Sequence, residues 1–382
     1  MLFDDKTRTF QGPRSYIESL WKYVDRSARV ETGRVRAFLN HWIAEYPEGS
    51  RGELISRFKA GDDRGFTSAT FEVVLFALLR STGWSITVHP DLKNGTGAHP
   101  DFLATSSQEE SVYIEAVIAS EFSKAEISAR KRADVVLDAI ERVNSPDFFL
   151  DVDAEGHPDR PPNGKCLRSA LEKWLTSLDP DAVTELTAEK GSSELPSMKW
   201  EKKGWQITFR AIPKMPEERG KGQRVICALH EGGRFVNSWE PIRDAVKAKG
   251  NRYGDLDHPL IVAVNVDAID VDEFDEMQGL FGEEAYVSGV GDPYPTEMRR
   301  KPTGAWYGPK GPQYTRVTAT WLFRNLNVWN LATPANTLYF NPWAQRSIPK
   351  SFALFNHARA ENDRMQWTAG HSLGQILGLP ME

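Results

Sequence analysis

The chain has 382 residues, 40% hydrophobic and 26% charged, with a formal net charge of −6; this is ordinary for a water-soluble globular protein of up to three domains, and it argues against wholesale electrostatic binding of DNA while leaving a local basic groove open. No stretch approaches the ~20 apolar residues that span a bilayer, and the start, MLFDDKTRTFQGPR, lacks the apolar run of a secretory signal. Two cysteines, Cys166 and Cys227, make neither a disulfide framework nor a zinc site, so a cytoplasmic protein is expected.

Residues 14–58 read as helices: Tyr16, Leu20, Tyr23 and Val24 recur at helical spacing, as do Val35, Phe38, Leu39, Trp42 and Ile43. "EYPEGSRG" breaks the second helix before "ELISRFK". "DDRGFTSATFEVVLFALLRSTGW" predicts a helix over about 67–82, closed by Gly83. Three strands are expected next, "WSITVHP", "PDFLAT" and "SVYIEAVIAS", too closely spaced for helical crossovers and so a meander. "SKAEISARKRADVVLDAIERV" is an amphipathic helix, and "DFFLDVD" at 147–153 is a strand expected to rejoin the same sheet. "GHPDRPPNGK" at 156–165 is a loop and a candidate boundary.

Beyond it, "CLRSALEKWLTSL" is helical and a polar stretch runs to about 200. "GWQITFRAIP" and "RVICAL" read as strands. Ser238 is a candidate cap for the helix "WEPIRDAVKAKGNRYG", which leads to the buried-strand pattern "PLIVAVNV". Strands "VTATWLF" and "TLYF" complete the pattern. The expected organisation is a helical N-terminal region (1–64), an α/β core (65–155) and a C-terminal α/β region (156–382) that extends the same mixed sheet.

Three acids align with these elements: Glu72 in the helix before the strands, Asp101 opening the second strand and Glu115 inside the third. A carboxylate among Phe102, Leu103, Tyr113, Ile114 and Val117 is costly to bury unless something pairs with it. Alternation sets Tyr113, Glu115 and Val117 on one face. Adjacent strands can then bring Asp101 beside Glu115, and gathered oxygen ligands suit Mg²⁺ or Mn²⁺.

The order of elements, with "HPD" on one strand and "YIEAV" on the next, resembles the PD-(D/E)XK, or restriction-endonuclease-like, nuclease superfamily across residues 65–153. The resemblance implies an αβββαβ core, Asp101 and Glu115 as metal ligands with Glu72 as the auxiliary acid, and hydrolysis of phosphodiesters, in DNA before RNA. The chain also resembles bacterial proteins that join "PDFL…EA" to a later "KYG…P…VAVN", here "NRYGDLDHPLIVAVN", and that wider resemblance implies no activity. The superfamily's lysine, two residues after the second acid, is Val117 here. Lys124 is the first candidate to replace it and Lys131 the next; Lys93, Lys247 and Lys249 are more distant. Without such a lysine the chain would be a degenerate member that binds nucleic acid or a protein partner.

Other motifs are set aside or kept open. "GHSLG", with Gly370, Ser372 and Gly374, follows no strand and leaves no room for a hydrolase triad, and "GVGDPYP" is not a phosphate loop. The basic stretches "SARKRAD", "EERGKGQR" and "MRRKPTG" read first as solvated faces and loops. His99 reads as a loop histidine. "TWLFRNLNVW" and "YFNPW" read as core and turn packing before a docking surface. The oligomeric state is not legible.

Overall fold

The computed structural model describes residues 1–92, 97–160, 163–202, 204–221, 224–231, 237–268, 270–287, 297–361 and 364–380. The chain divides into two compact units: Met1–Gly12, Ser19–Glu121 and Val236–Glu382 form one, and Pro13–Glu18 with Phe122–Phe235 the other. The second is an insertion in the sequence of the first.

The first unit begins with helices α1 (Leu20–Arg26), α2 (Val30–Glu45), α3 (Glu48–Lys59) and α4 (Asp63–Ser81). The expected break over "EYPEGSRG" shrinks to Tyr46 and Pro47, because proline costs nothing at a helix start and Glu48 onward continues as α3. α4 is buried without interruption from Ala69 to Leu79, the mark of an internal helix. Gly83, at φ +89°, turns the chain after it. Strands β1 (Ser85–Val88), β2 (Phe102–Thr105) and β3 (Ser111–Ser120) form the expected antiparallel meander.

The inserted unit contains α5 (Lys124–Ile140), β4 (Phe148–Glu155), α6 (Gly164–Thr176), α7 (Pro180–Lys190), β5 (Ser197–Lys202), β6 (Trp205–Pro213) and β7 (Ile226–Glu231). Its strands make their own sheet in the order β5-β6-β4-β7. Leu150, Val152, Ile207 and Phe209 pack against Val136 and Leu137 of α5 and Leu167 and Leu171 of α6. The polar stretch before residue 200 holds α7, whose N-cap Asp179 and first-turn Pro180 are a helix-start signal that sequence reading passed over.

The chain returns to the first unit with α8 (Trp239–Gly250), β8 (Leu260–Asp267) and α9 (Glu273–Phe281). Ser238 stands at the α8 N-cap position, but its side chain makes no capping bond. Short pairs β9 (Glu284–Val287) with β10 (Glu297–Arg300) and β11 (Tyr307–Gly308) with β12 (Gly311–Pro312) follow. Then come β13 (Val317–Arg324), β14 (Asn336–Phe340), β15 (His357–Glu361), β16 (Arg364–Thr368) and α10 (Leu373–Leu377). Ser372, the serine of "GHSLG", caps α10 through a reciprocal capping box with Gln375. "GVGDPYP" lies outside the described residues.

The large sheet is mixed, in the order β1-β2-β3-β8-β13-β14-β15-β16. β8 runs parallel to both β3 and β13. One face carries Phe102, Ile114, Ile261 and Trp321 against α4 and the N-terminal helices. The other carries Tyr113, Val262, Val264 and Leu322 against Ile242 and Val246 of α8.

The expectation that "DFFLDVD" rejoins the meander is corrected. That segment is β4, in the inserted sheet, and the neighbour of β3 is β8. The reason lies in the two patterns: a strand between parallel neighbours is covered on both faces and needs apolar residues throughout. Residues Leu260–Val266 of β8 are all buried. β4 alternates buried Leu150 and Val152 with half-buried Asp151 and Asp153, so it suits a sheet with one covered face.

Candidate active site

The register of β2 on β3 pairs Phe102 with Ile114. One step further along, Asp101 falls opposite Glu115, and alternation sends both side chains to the face that α8 covers. The Ala116 backbone N–H donates to Asp101 Oδ2 at 2.6 Å, which fixes the carboxylate at the strand end. Burial pushes Asp101 up to about 7, and the carboxylates of Glu115 and Glu72 push the same way against the Ala116 N–H and the Lys249 charge.

Glu115 is 3% exposed. A carboxylate so placed needs a cation, and Lys249, in the last turn of α8, donates to Oε1. Arg252 Nη1 stands 4.0 Å from the same oxygen. The two cations differ in access: the Lys249 side chain is 18% exposed, that of Arg252 51%. Glu115 Oε2 is buried and makes no hydrogen bond. Tyr253 is buried here too, and burial followed by the Glu115 charge pushes its hydroxyl upward.

Glu72 projects from α4 and spends both oxygens locally. Tyr46 donates to Oε1 at 2.5 Å, and Arg57 of α3 pairs with Oε2. Burial works against the Arg57 charge, and the Glu72 carboxylate outweighs it, leaving the guanidinium pushed up. Glu72 therefore acts on Asp101 through its field.

Of the lysines weighed from sequence, Lys249 meets the acids. Val117 packs in the apolar cluster on the α8 face. Lys124 opens α5 in the inserted unit, exposed, and Lys131 lies in the same helix. Lys247 is in α8, where burial lowers it, and Lys93 lies outside the described residues. His99 is exposed, its ring 4.7 Å from that of His89. The aromatic stretches are largely core: Trp321, Phe323 and Tyr339 are fully buried, while Trp329 is half exposed.

Sequence reading missed Tyr46, Arg57 and Arg252. Arg252 is the arginine of the quoted "NRYGDLDHPLIVAVN" and lies three residues past Lys249, so one helical turn there is the available signal. Among the described residues, no group of three or more His, Cys, Asp or Glu side chains is arranged to hold a metal ion. The pair Asp101 and Glu115, with one orphaned buried oxygen, fits a hard divalent cation that keeps most of its waters and binds through two carboxylates. Among the described residues, no helix is long and apolar enough to cross a membrane. Comparison with family models, curated proteins and solved structures found no match.

Proposed function

We propose that the protein is a metal-dependent nuclease whose site is Asp101, Glu115 and Lys249, with Glu72 tuning Asp101. The observation that carries this reading is the cross-strand juxtaposition of Asp101 and Glu115 with a lysine on the second acid. The order α4–β1–β2–β3, followed by α8 and a β8 parallel to β3, supports a restriction-endonuclease-like αβββαβ core interrupted by residues 122–235.

Asp101 and Glu115 would hold Mg²⁺ or Mn²⁺, which when bound polarises a phosphodiester and lowers the pKa of a water. Burial first, and then the Glu115 and Glu72 charges, raises Asp101, and such a cation would offset both. Lys249 would take the role that Val117 cannot, orienting the attacking water and offsetting negative charge on the phosphoryl oxygens. Arg252, the more exposed cation, would hold a phosphate oxygen. DNA is favoured over RNA by the resemblance alone.

A second reading has its own observation: Lys249 already neutralises Glu115, as it would in a fold that binds nucleic acid or a protein partner without cutting. Calorimetry with Mn²⁺ and a plasmid-nicking assay separate the two. Wild type should bind and nick, and Asp101→Ala with Glu115→Ala should do neither. Lys249→Met should bind metal and nick about 100-fold more slowly. Metal binding without any nicking by wild type would favour the second reading, and no metal binding even with DNA present would end the first.

A further inference from the structure

We propose that Arg316, Arg346, His258 and Gln345 form a phosphate-binding subsite beside the acidic site, one that grips the nucleic-acid strand away from the bond to be cut. These side chains, with Asp255 and Leu256, line a cavity of about 180 Å³. At about 30 Å³ per water that is room for one phosphate group with part of its hydration shell. Two guanidinium forks and two further polar side chains match a tetrahedral oxyanion, which accepts paired N–H bonds as a carboxylate does.

The donors are already oriented. Arg346 Nε donates to the Leu256 carbonyl at 3.1 Å, which leaves its terminal nitrogens for a ligand. Gln345 is anchored through its side-chain amide to Thr315 Oγ1 at 3.0 Å, and its backbone N–H reaches the Thr315 carbonyl at 2.8 Å. Arg316 Nη2 holds Asp255 Oδ1 at 2.7 Å, and the Asp255 side chain is 92% exposed. A pair so open to water is held weakly, so a phosphate can replace this carboxylate on Arg316.

Position ties the cavity to the site. Tyr113 shares a strand face with Glu115 two residues away, about 7 Å along β3. Its ring lies 5.6 Å from that of His258, and its hydroxyl donates to Asp257 at 2.9 Å. Asp255–His258 is the segment between Arg252 and β8, so Arg252 and the cavity follow one another along the chain.

The assignment rests on the nuclease reading for its ligand, so the test separates the two. Binding of a labelled single-stranded DNA dodecamer would be measured in EDTA, where cutting is suppressed, and binding of inorganic phosphate by calorimetry on the same proteins. Arg316→Ala with Arg346→Ala should weaken DNA binding about tenfold and reduce its salt slope by one to two. The same variant should lose phosphate binding while melting as wild type does. The doubly lysine-substituted protein, Arg316→Lys with Arg346→Lys, should recover part of the affinity. DNA and phosphate binding unchanged in the alanine variant would overturn the subsite, whether or not wild type nicks plasmid. Phosphate binding lost in that variant, in a protein that neither binds nor cuts DNA, would keep the subsite and sink the nuclease reading.

Discussion

Asp101 is the residue where pH is felt. Its pKa in the fold, about 7, is raised above the ordinary carboxylate value, chiefly by burial and then by Glu115 and Glu72. A raised acid contributes stability that is fully present below the unfolded value of about 4 and is lost as pH climbs to about 7. In chelator, Asp101→Asn should therefore melt close to wild type at pH 4.5 and above it by roughly 2 °C or more at pH 8; a gap that stays constant with pH would refute that origin. The three acids were legible because each stood in an element with a clear pattern. Lys249 is harder to reach from the sequence, since it lies 134 residues from Glu115 and the inserted residues conceal that α8 covers β3. Lys124 ranked first only because it follows β3 directly in the chain.

At the scale of elements, α9 is fastened to the sheet by a buried charge. Glu276 is fully buried, receives Arg324 at the end of β13 through two bonds of 2.9 and 3.0 Å, and takes the Tyr339 hydroxyl of β14 at 2.7 Å. Burial pushes the Glu276 carboxyl upward against these partners. Glu273 pairs with the same arginine at 2.8 Å but is 57% exposed. Glu276→Ala should cost about 3 kcal/mol in urea unfolding, because it takes the acceptor from the buried Tyr339 hydroxyl and from the two Arg324 N–H groups aimed at it, and Glu273→Ala about 1 or less. Equal costs would mean that burial is not what sets the value of this pair. Nothing in the sequence joined Glu276, Arg324 and Tyr339, which come from three separate elements. β8 could be read as a buried strand from its unbroken apolar run, yet its partner could not, because parallel neighbours are joined through distant crossovers. The misplacement of β4 came from trusting chain order over its Asp151 and Asp153.

For the whole molecule, the inserted unit has a hydrophobic core of its own, distinct from the two that line the faces of the large sheet. Phe209 is fully buried in the inserted unit. Phe209→Ala should cost about 3–5 kcal/mol, read as an earlier fluorescence transition, while Mn²⁺ affinity changes less than twofold. A parallel loss of metal binding would show that the acidic site depends on the inserted core. The parallel pairing of Glu115 with Val262 also sets a schedule during synthesis. At roughly 5–20 residues per second, a ribosome takes about 7–30 s to deliver the second strand after the first. Throughout that interval β3 has β2 on one edge and an open backbone on the other, while the intervening residues are made and can fold. The nascent chain thus presents an apolar, unpaired strand edge just when chaperone capture or pairing between chains on neighbouring ribosomes can compete for it.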